Sequence, residues 1–329
     1  MDTTTSFPAR ERFTYFLNQV QVILDKADGF ENPGLLIYQQ NIRTPFFMLE
    51  ALTRLYKKIS DKKIFAKLNA SFKEIEDSLG AVDYYDGFYK DLSTKKNVPE
   101  SVTTYLNDQK EAMVAKLNVC LEDNNWIGKN QKRIRKIFKN LDKVSWLPEK
   151  QDVIEVKKIY GNFISSLTEK FKNNEILFTS IENDVHEFRR ELRWLSIYPQ
   201  AFRGLFQLKA STEMPEVLKK YLTPEIISSP YNIMPDGAAL PDHIFLDAAN
   251  FYAISWVINE LGKIKDNGLR IIIIEEALTK LLNIKPQPAE ELAYSICGET
   301  QMHIPELLDS AKNITTPFFQ ENVLDNLVC

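Results

Sequence analysis

The chain has 329 residues, of which 44% are apolar and 26% are charged, so it is long enough for one large domain or two ordinary ones and is not mainly disordered. With 41 basic and 45 acidic residues the net charge is -4, which excludes a global basic field, and any anion site must be a local patch. Its 11 glycines are about half the usual share, which argues against a glycine-rich β-protein.

Helical periodicity runs through the whole chain. The first apolar stripe, at three- and four-residue steps, comprises Phe13, Phe16, Leu17, Val20, Ile23 and Leu24. Asp61 is placed to cap a second helix, which we expect to end at Gly80. Further amphipathic stretches begin near Pro99, Gln131, Glu149, Ile176, Asp242 and Gly268. Long helices with short connections predict an all-α fold made of helical bundles.

Evidence for strands is weak, and the chain divides naturally near residue 145. Residues 271–274 are four isoleucines followed by a helical pattern, which favours a buried helix over a short strand. A basic helix ends and a new one starts around 144–148, which predicts two helical halves, 1–145 and 146–329. The second half carries an insertion around 210–241, whose proline-rich part, 228–241, predicts a long loop.

Three cysteines, Cys120, Cys297 and Cys329, are far apart in the sequence and odd in number, which indicates reduced thiols. The N-terminal residues do not resemble a signal peptide, and no apolar run approaches the length of a membrane span. We therefore expect a cytoplasmic protein without membrane contact.

The motifs that mark nucleotide-binding folds, serine hydrolases and structural zinc sites are absent. His186-Glu187 opens like a zinc-protease helix, but the second ligand position holds Arg190, which does not bind zinc there. None of the three histidines follows a glutamate at the spacing that di-iron helices use. The sequence thus predicts no metal, no cofactor and no catalytic site.

A first basic feature is the helix expected from Gln131 to Lys143. Lys132, Lys136 and Lys139 recur at three- and four-residue steps and therefore share one helix face. Two interpretations stay open: the face neutralises a polyanion, or it is a solvated face whose lysines pair with acids elsewhere.

A second basic feature lies in residues 184–195. His186, Arg189 or Arg190, and Arg193 are spaced to project along one side of a helix, and arginine forks are good phosphate ligands. The alternative is a ladder within the helix, in which the arginines pair with the nearby glutamates at 187 and 191.

At these residues the sequence resembles the CHAD family. The likeness rests on His186-x-x-Arg189 with Arg193-Trp194-Leu195, on Leu261-Gly262 with Asp266, on Gln40-Asn41-Ile42-Arg43, and on Leu79-Gly80 with Asp86. The resemblance implies two similar four-helix halves, a degenerate internal repeat over most of the chain, and binding of inorganic polyphosphate. Gln40 stands where the family has its first histidine, and Phe46, Phe47 and Leu49 stand where the family is basic.

We therefore expect non-catalytic binding of a phosphate-rich anion such as polyphosphate between the two halves. The expected groove residues are Arg43, His186, Arg189, Arg190 and Arg193, with Lys132, Lys136, Lys139 and Arg203 as supporting charge. Binding would be electrostatic and would show no specific recognition of nucleic acid.

Two alternatives remain at this point. The first is a helical scaffold that has lost the anion site and binds a protein partner, with a groove lined by Phe46, Phe47, Tyr84, Tyr85, Tyr89 and Trp194, unless these simply fill the core. The second is a hydrolase that uses the paired carboxylates at 83 and 86 or at 275 and 276.

Overall fold

A computed structural model describes residues 8–128, 132–211, 214–238, 240–298 and 300–329. The chain is all-α, as the sequence predicts, with 73% of it helical. The first half contains α1 (Pro8–Ala27), α2 (Pro33–Gln39), α3 (Arg43–Ile59), α4 (Lys62–Leu92), α5 (Glu100–Asp123) and α6 (Lys132–Leu141). The predicted first residue of the basic helix, Gln131, lies outside the described residues, and the helix itself is α6.

The second half contains α7 (Glu149–Lys172), a π-helical turn (Ile181–His186), α8 (Glu187–Ala201), α9 (Pro224–Ile227), α10 (Ala248–Leu282), α11 (Pro286–Cys297) and α12 (Ile304–Gln320). Short 3-10 turns, Glu216–Tyr221 and Pro230–Asn232, flank α9. The four isoleucines lie inside α10, and three of them are buried, so the buried-helix prediction is confirmed. The stretches expected to begin near Asp242 and Gly268 are wrong as separate helices, since α10 runs without a break from Ala248.

Two short strands, which sequence periodicity did not reveal, close the insertion. β1 (Phe206–Lys209) pairs in parallel with β2 (Ile244–Asp247), and Phe206 lies opposite Ile244. With four residues each, they are too short to show a clear alternation in the sequence. The strands hold both ends of the insertion together beside the start of α10.

Gly80 does not end a helix, which corrects the sequence prediction. It lies within the 31-residue α4, and the side chain of Arg43 occupies the space that a Cβ atom would fill, with Nη2 2.9 Å from that position. The glycine therefore serves a close approach between two helices rather than a left-handed cap. Asp61 is the residue before α4, but its carboxylate accepts from the backbone N–H of Ser145 instead of capping the helix.

One continuous apolar core joins both halves. α3 packs against α4 and α8, and α8 packs against α10. A buried polar network crosses this core: Arg12 Nη1 donates to Tyr56 Oη at 3.0 Å and to Asp152 Oδ2 at 2.8 Å, and Tyr56 Oη donates to Asp152 Oδ1 at 2.8 Å. The network ties α1, α3 and α7 together, so the two halves are packed as one unit around α3 and α8.

The loop predicted over 228–241 lies against the C-terminal end of α8. Gln200 Nε2 donates to the backbone carbonyl of Ile233 at 2.8 Å, and Gln207 Nε2 donates to that of Pro235 at 3.0 Å. These bonds fix the loop beside the helix that carries the predicted arginines, with Tyr231 79% exposed at its tip. None of the helices that the structure describes is long and apolar enough to cross a membrane.

Candidate functional site: an arginine cluster between α3 and α8

The packing of α3 on α8 brings two predicted arginines onto one aromatic ring. The guanidinium carbon of Arg43 lies 5.1 Å from the centre of the Phe47 ring, and that of Arg193 lies 5.3 Å from it. Phe47 stands where the resemblance leads one to expect a basic residue, and its ring instead supports the cations of both helices by cation–π contact. The site is therefore built where α3 packs on α8.

Arg193 carries the least compensated charge of the cluster. Its side chain is partly buried, and it forms no ion pair or hydrogen bond with any described residue. Burial, and then the neighbouring charges of Arg189 and Arg43, lower the pKa of Arg193 to about 10. Because burying a charge without a partner is costly, this position would be stabilised by an anion.

The side chains of Arg189 and Arg43 make similar contacts, because each lies against a glycine in the middle of a long helix. Arg189 Nε donates to the backbone carbonyl of Ile258 at 2.9 Å, and the same nitrogen is 3.1 Å from the place where a Cβ of Gly262 would stand. Arg43 takes the equivalent position over Gly80. Both glycines belong to the Leu-Gly motifs that carry the family resemblance, although the internal repeat itself stays a prediction.

The two arginines differ in whether an acid is in contact with them. Arg43 is neutralised by two acids of α4, because Nη2 is 2.8 Å from Glu76 Oε1 and Nη1 is 2.6 Å from Asp83 Oδ2. Arg189 has no acid in ion-pair contact among the described residues, and burial lowers its pKa. The arginines of the cluster without an acid in contact among the described residues thus lie on α8, at Arg189 and Arg193. Asp266 and Glu76, respectively, compensate part of their charge from a distance.

His186 ends the π-helical turn directly before α8. Its Nδ1 is buried and has no hydrogen-bond partner among the described residues. Burial, followed by the charges of Lys265 and Arg190, lowers the pKa of His186 to about 4, so the imidazole is neutral at pH 7. A neutral imidazole beside these cations can still donate one hydrogen bond to an anion.

Ion pairs within α8 neutralise only part of the predicted basic face, because a single one, between Arg190 and Glu187, is seen among the described residues. Arg190 Nη1 lies 2.9 Å from Glu187 Oε1, so this pair forms as the alternative interpretation expects. Glu191 instead pairs with Lys170 of α7, at 2.6 Å. Asp184 accepts hydrogen bonds from Thr179 and from the backbone of 180. These acids therefore make no contact with Arg189 or Arg193.

The four residues expected to supply supporting charge lie outside the cluster. Lys132, Lys136 and Lys139 are exposed on α6, which packs against α1 rather than α8. Arg203 follows α8 in a left-handed conformation with φ 46°, and its guanidinium lies 3.3 Å from the centre of the Tyr15 ring. Charge spacing along the sequence could not reveal these separations, since they depend on which helix faces which.

The structure also shows where the aromatic residues of the scaffold alternative and the paired carboxylates of the hydrolase alternative lie. Phe46 and Trp194 are buried, whereas Phe47, Tyr84, Tyr85 and Tyr89 are partly buried, so these aromatic residues do not form an exposed groove. The carboxylates at 83 and 86 accept hydrogen bonds from Tyr38, and the one at 276 accepts from Tyr85 and Tyr105. Among the described residues, no three His, Cys, Asp or Glu side chains gather in a way that could hold a metal ion.

The sequence did not reveal the groups that contact and position the arginines. These are the Phe47 ring, the Ile258 carbonyl and the glycines inside α4 and α10. The available signal was a glycine inside an otherwise uninterrupted helical pattern, at Gly80 and again at Gly262.

No protein-family model matches the chain, and neither a curated protein nor a solved structure matches it. The resemblance to the CHAD family therefore stays a prediction, based on the short motifs named above.

Proposed function

We propose that the protein binds a compact phosphate-rich anion, without covalent chemistry, at the cluster formed by Arg189, Arg193 and His186 on the α8 side and Arg43 on α3. The observation that carries the proposal is Arg193, a partly buried guanidinium beside two other arginines with no acid in contact among the described residues. An anion placed there would relieve the repulsion between these cations and satisfy their free N–H groups.

The cluster favours a small ligand over a long chain lying along a continuous groove. Arg43 already has two acids, Arg190 has one, and the lysines of α6 lie elsewhere. Arg193 and the free N–H groups of Arg189 are enough for one or two phosphoryl groups, each held by charge-assisted hydrogen bonds. We therefore propose a ligand of the size of a short polyphosphate.

The test is titration of the protein with tripolyphosphate by calorimetry, at 50 and 150 mM salt. Arg193→Ala removes the uncompensated guanidinium, and Arg135→Ala removes an exposed arginine of α6 as a control with the same net charge. A charge-assisted contact is worth about 1.5–3 kcal/mol, so we expect Arg193→Ala to weaken binding at least ~10-fold and Arg135→Ala to change it little. Equal affinity of wild type and Arg193→Ala would refute the proposal.

A further inference from the structure

A second basic surface lies on a different part of the molecule, formed by α6 and the start of α4. Hydrogen bonds align the two segments side by side and antiparallel: Arg133 Nη1 donates to Ser71 Oγ at 3.3 Å, and the N–H of Ser145 donates to Asp61 Oδ2 at 3.1 Å. The strip between these two contacts is about 15 Å long, from the rise of ten helical residues. We call it the basic ridge; it comprises Lys62, Lys63 and Lys67 of α4, Arg135, Lys136 and Lys139 of α6, and Lys143 just after α6.

The cations of the basic ridge are exposed, and none forms an ion pair or a hydrogen bond with a described residue through its side chain. The acids at its edges are engaged, because Asp61 accepts from Ser145 and Asp142 pairs with Arg10 at 2.8 Å. The solvated face that one interpretation of α6 expects is thus present, whereas pairing of its lysines with acids is not seen among the described residues. In a chain of net charge -4, the ridge is a local excess of positive charge.

The lysines at the start of α4 and α6 do not favour these helices. Neither first turn contains an acid, although Asp61 directly precedes α4, and both helices begin with lysine, whereas Lys139 lies in the last turn of α6, where a cation is favourable. Cations at a helix N-terminus oppose the helix dipole and typically cost about 0.3–1 kcal/mol each, and the ridge cations also repel one another. Such a cost is offset when a polyanion binds.

We infer that the basic ridge binds the phosphate backbone of a nucleic acid duplex without reading its sequence. A duplex carries one phosphate charge per about 1.7 Å of its axis, so the charge density of the ridge is comparable to that of the duplex. The exposed positions of α4 beside these lysines include Ala66 and, one turn further, Ala70, which let a rigid backbone approach closely. Lysine, which predominates here, contributes charge rather than base recognition.

Other partners of a basic surface fit less well. No large apolar or aromatic side chain is exposed on the ridge among the described residues. It therefore lacks the stacking platform that single strands use, the apolar face that inserts into lipid, and the aromatic anchors typical of a protein interface.

The experiment measures binding of a fluorescent 20-base-pair duplex of mixed sequence by anisotropy, between 50 and 200 mM salt. The ridge variant is Lys63→Ala/Lys67→Ala/Lys136→Ala/Lys139→Ala. The control removes four exposed lysines from other surfaces, none of them in a described ion pair: Lys116→Ala/Lys209→Ala/Lys285→Ala/Lys312→Ala. Both variants have the same net charge, and circular dichroism checks that both keep the helical fold.

We expect the ridge variant to bind at least ~100-fold more weakly than wild type at 50 mM salt. The slope of log affinity against log salt concentration should be smaller in magnitude by about three to four than that of wild type. This is roughly one for each phosphate that the variant no longer neutralises. The control should lose far less affinity, and Arg193→Ala should bind the duplex as wild type does, which separates this inference from the proposed anion site. The inference is wrong if wild type does not bind the duplex at 50 mM salt, if both quadruple variants lose affinity equally, or if phosphatidylserine vesicles but not the duplex depend on the ridge.

Discussion

At the scale of single residues, the site depends on charges that lack partners. Among the described residues, Arg193 is held between helices without an acid in contact, and the buried Nδ1 of His186 has no hydrogen-bond partner. Both groups show pKa values lowered by burial and by neighbouring cations. The cluster is thus less stable without an anion than with one, which is what a preformed binding site requires.

His186 gives the cluster a stability that depends on pH. Its pKa is about 4 in the folded protein and about 6.5 in an unfolded chain, so between these values the unfolded state binds more protons. The stability contributed by neutral His186 is therefore present above pH 6.5 and is lost as the pH falls toward 4.

We expect His186→Gln to lose less stability than wild type between pH 7 and pH 4.5. Urea denaturation at several pH values measures this, and the difference between the two proteins removes the contribution of the shared carboxylates. Parallel curves for variant and wild type would show that His186 does not titrate in this window.

At the scale of elements, two long helices each hold a glycine where an arginine crosses them. A glycine inside a helix costs about 0.5–1 kcal/mol relative to alanine, so an open position gains stability on substitution. Gly161 of α7 has nothing within 4 Å of its Cβ position, whereas the Cβ position of Gly262 is in contact with the Arg189 guanidinium.

Gly161→Ala is therefore expected to raise the free energy of unfolding by about 0.5–1 kcal/mol. Gly262→Ala makes the same change in helix propensity, but its Cβ requires Arg189 to shift. We therefore expect the unfolding free energy of Gly262→Ala to be about 1 kcal/mol or more below that of Gly161→Ala. We also expect Gly262→Ala to bind tripolyphosphate more weakly. Urea denaturation and calorimetry measure the two effects. Equal stabilisation by both substitutions would mean that the Arg189 guanidinium does not pack against Gly262.

The same glycines show what the sequence can and cannot predict about an element. Apolar periodicity correctly predicts the helical class and the burial of residues 271–274, because periodicity reports which face of a helix is buried. It predicts an end at Gly80 because glycine commonly ends helices, but α4 continues to Leu92. The position of Arg43 in space accounts for the glycine there, and sequence periodicity does not show that position. The short strands β1 and β2 depend on pairing across the insertion, which periodicity does not show.

At the scale of the whole molecule, the network of Arg12, Tyr56 and Asp152 joins α1, α3 and α7 in the shared core. Removing one member of a buried ion pair leaves the other charge without compensation, which typically costs about 3–5 kcal/mol. We expect Asp152→Ala to lose about this much unfolding free energy, and Arg12→Met/Asp152→Leu to lose much less. Denaturant titration compares the two, and a double variant as unstable as the single one would contradict this account.

The composition of the candidate site depends on packing at this largest scale. Spacing along one helix groups His186, Arg189 and Arg193, because neighbours on a helix face are fixed by its period, and their role as a binding site stays a prediction. Only the family resemblance predicts Arg43 in the same groove, because which helices pack together is not contained in net charge or spacing. The structure places Arg43 beside Arg193 on the Phe47 ring and places Lys132 and Arg203 elsewhere.

The most direct measurement is a crystal structure of the protein grown with tripolyphosphate. The account predicts phosphoryl density between α3 and α8, within hydrogen-bond distance of the Arg193 guanidinium and of the free N–H groups of Arg189, with Arg43 and Arg193 still on the Phe47 ring. Density only on the lysines of α6, or an unliganded cluster at a tripolyphosphate concentration that saturates binding in solution, would contradict it.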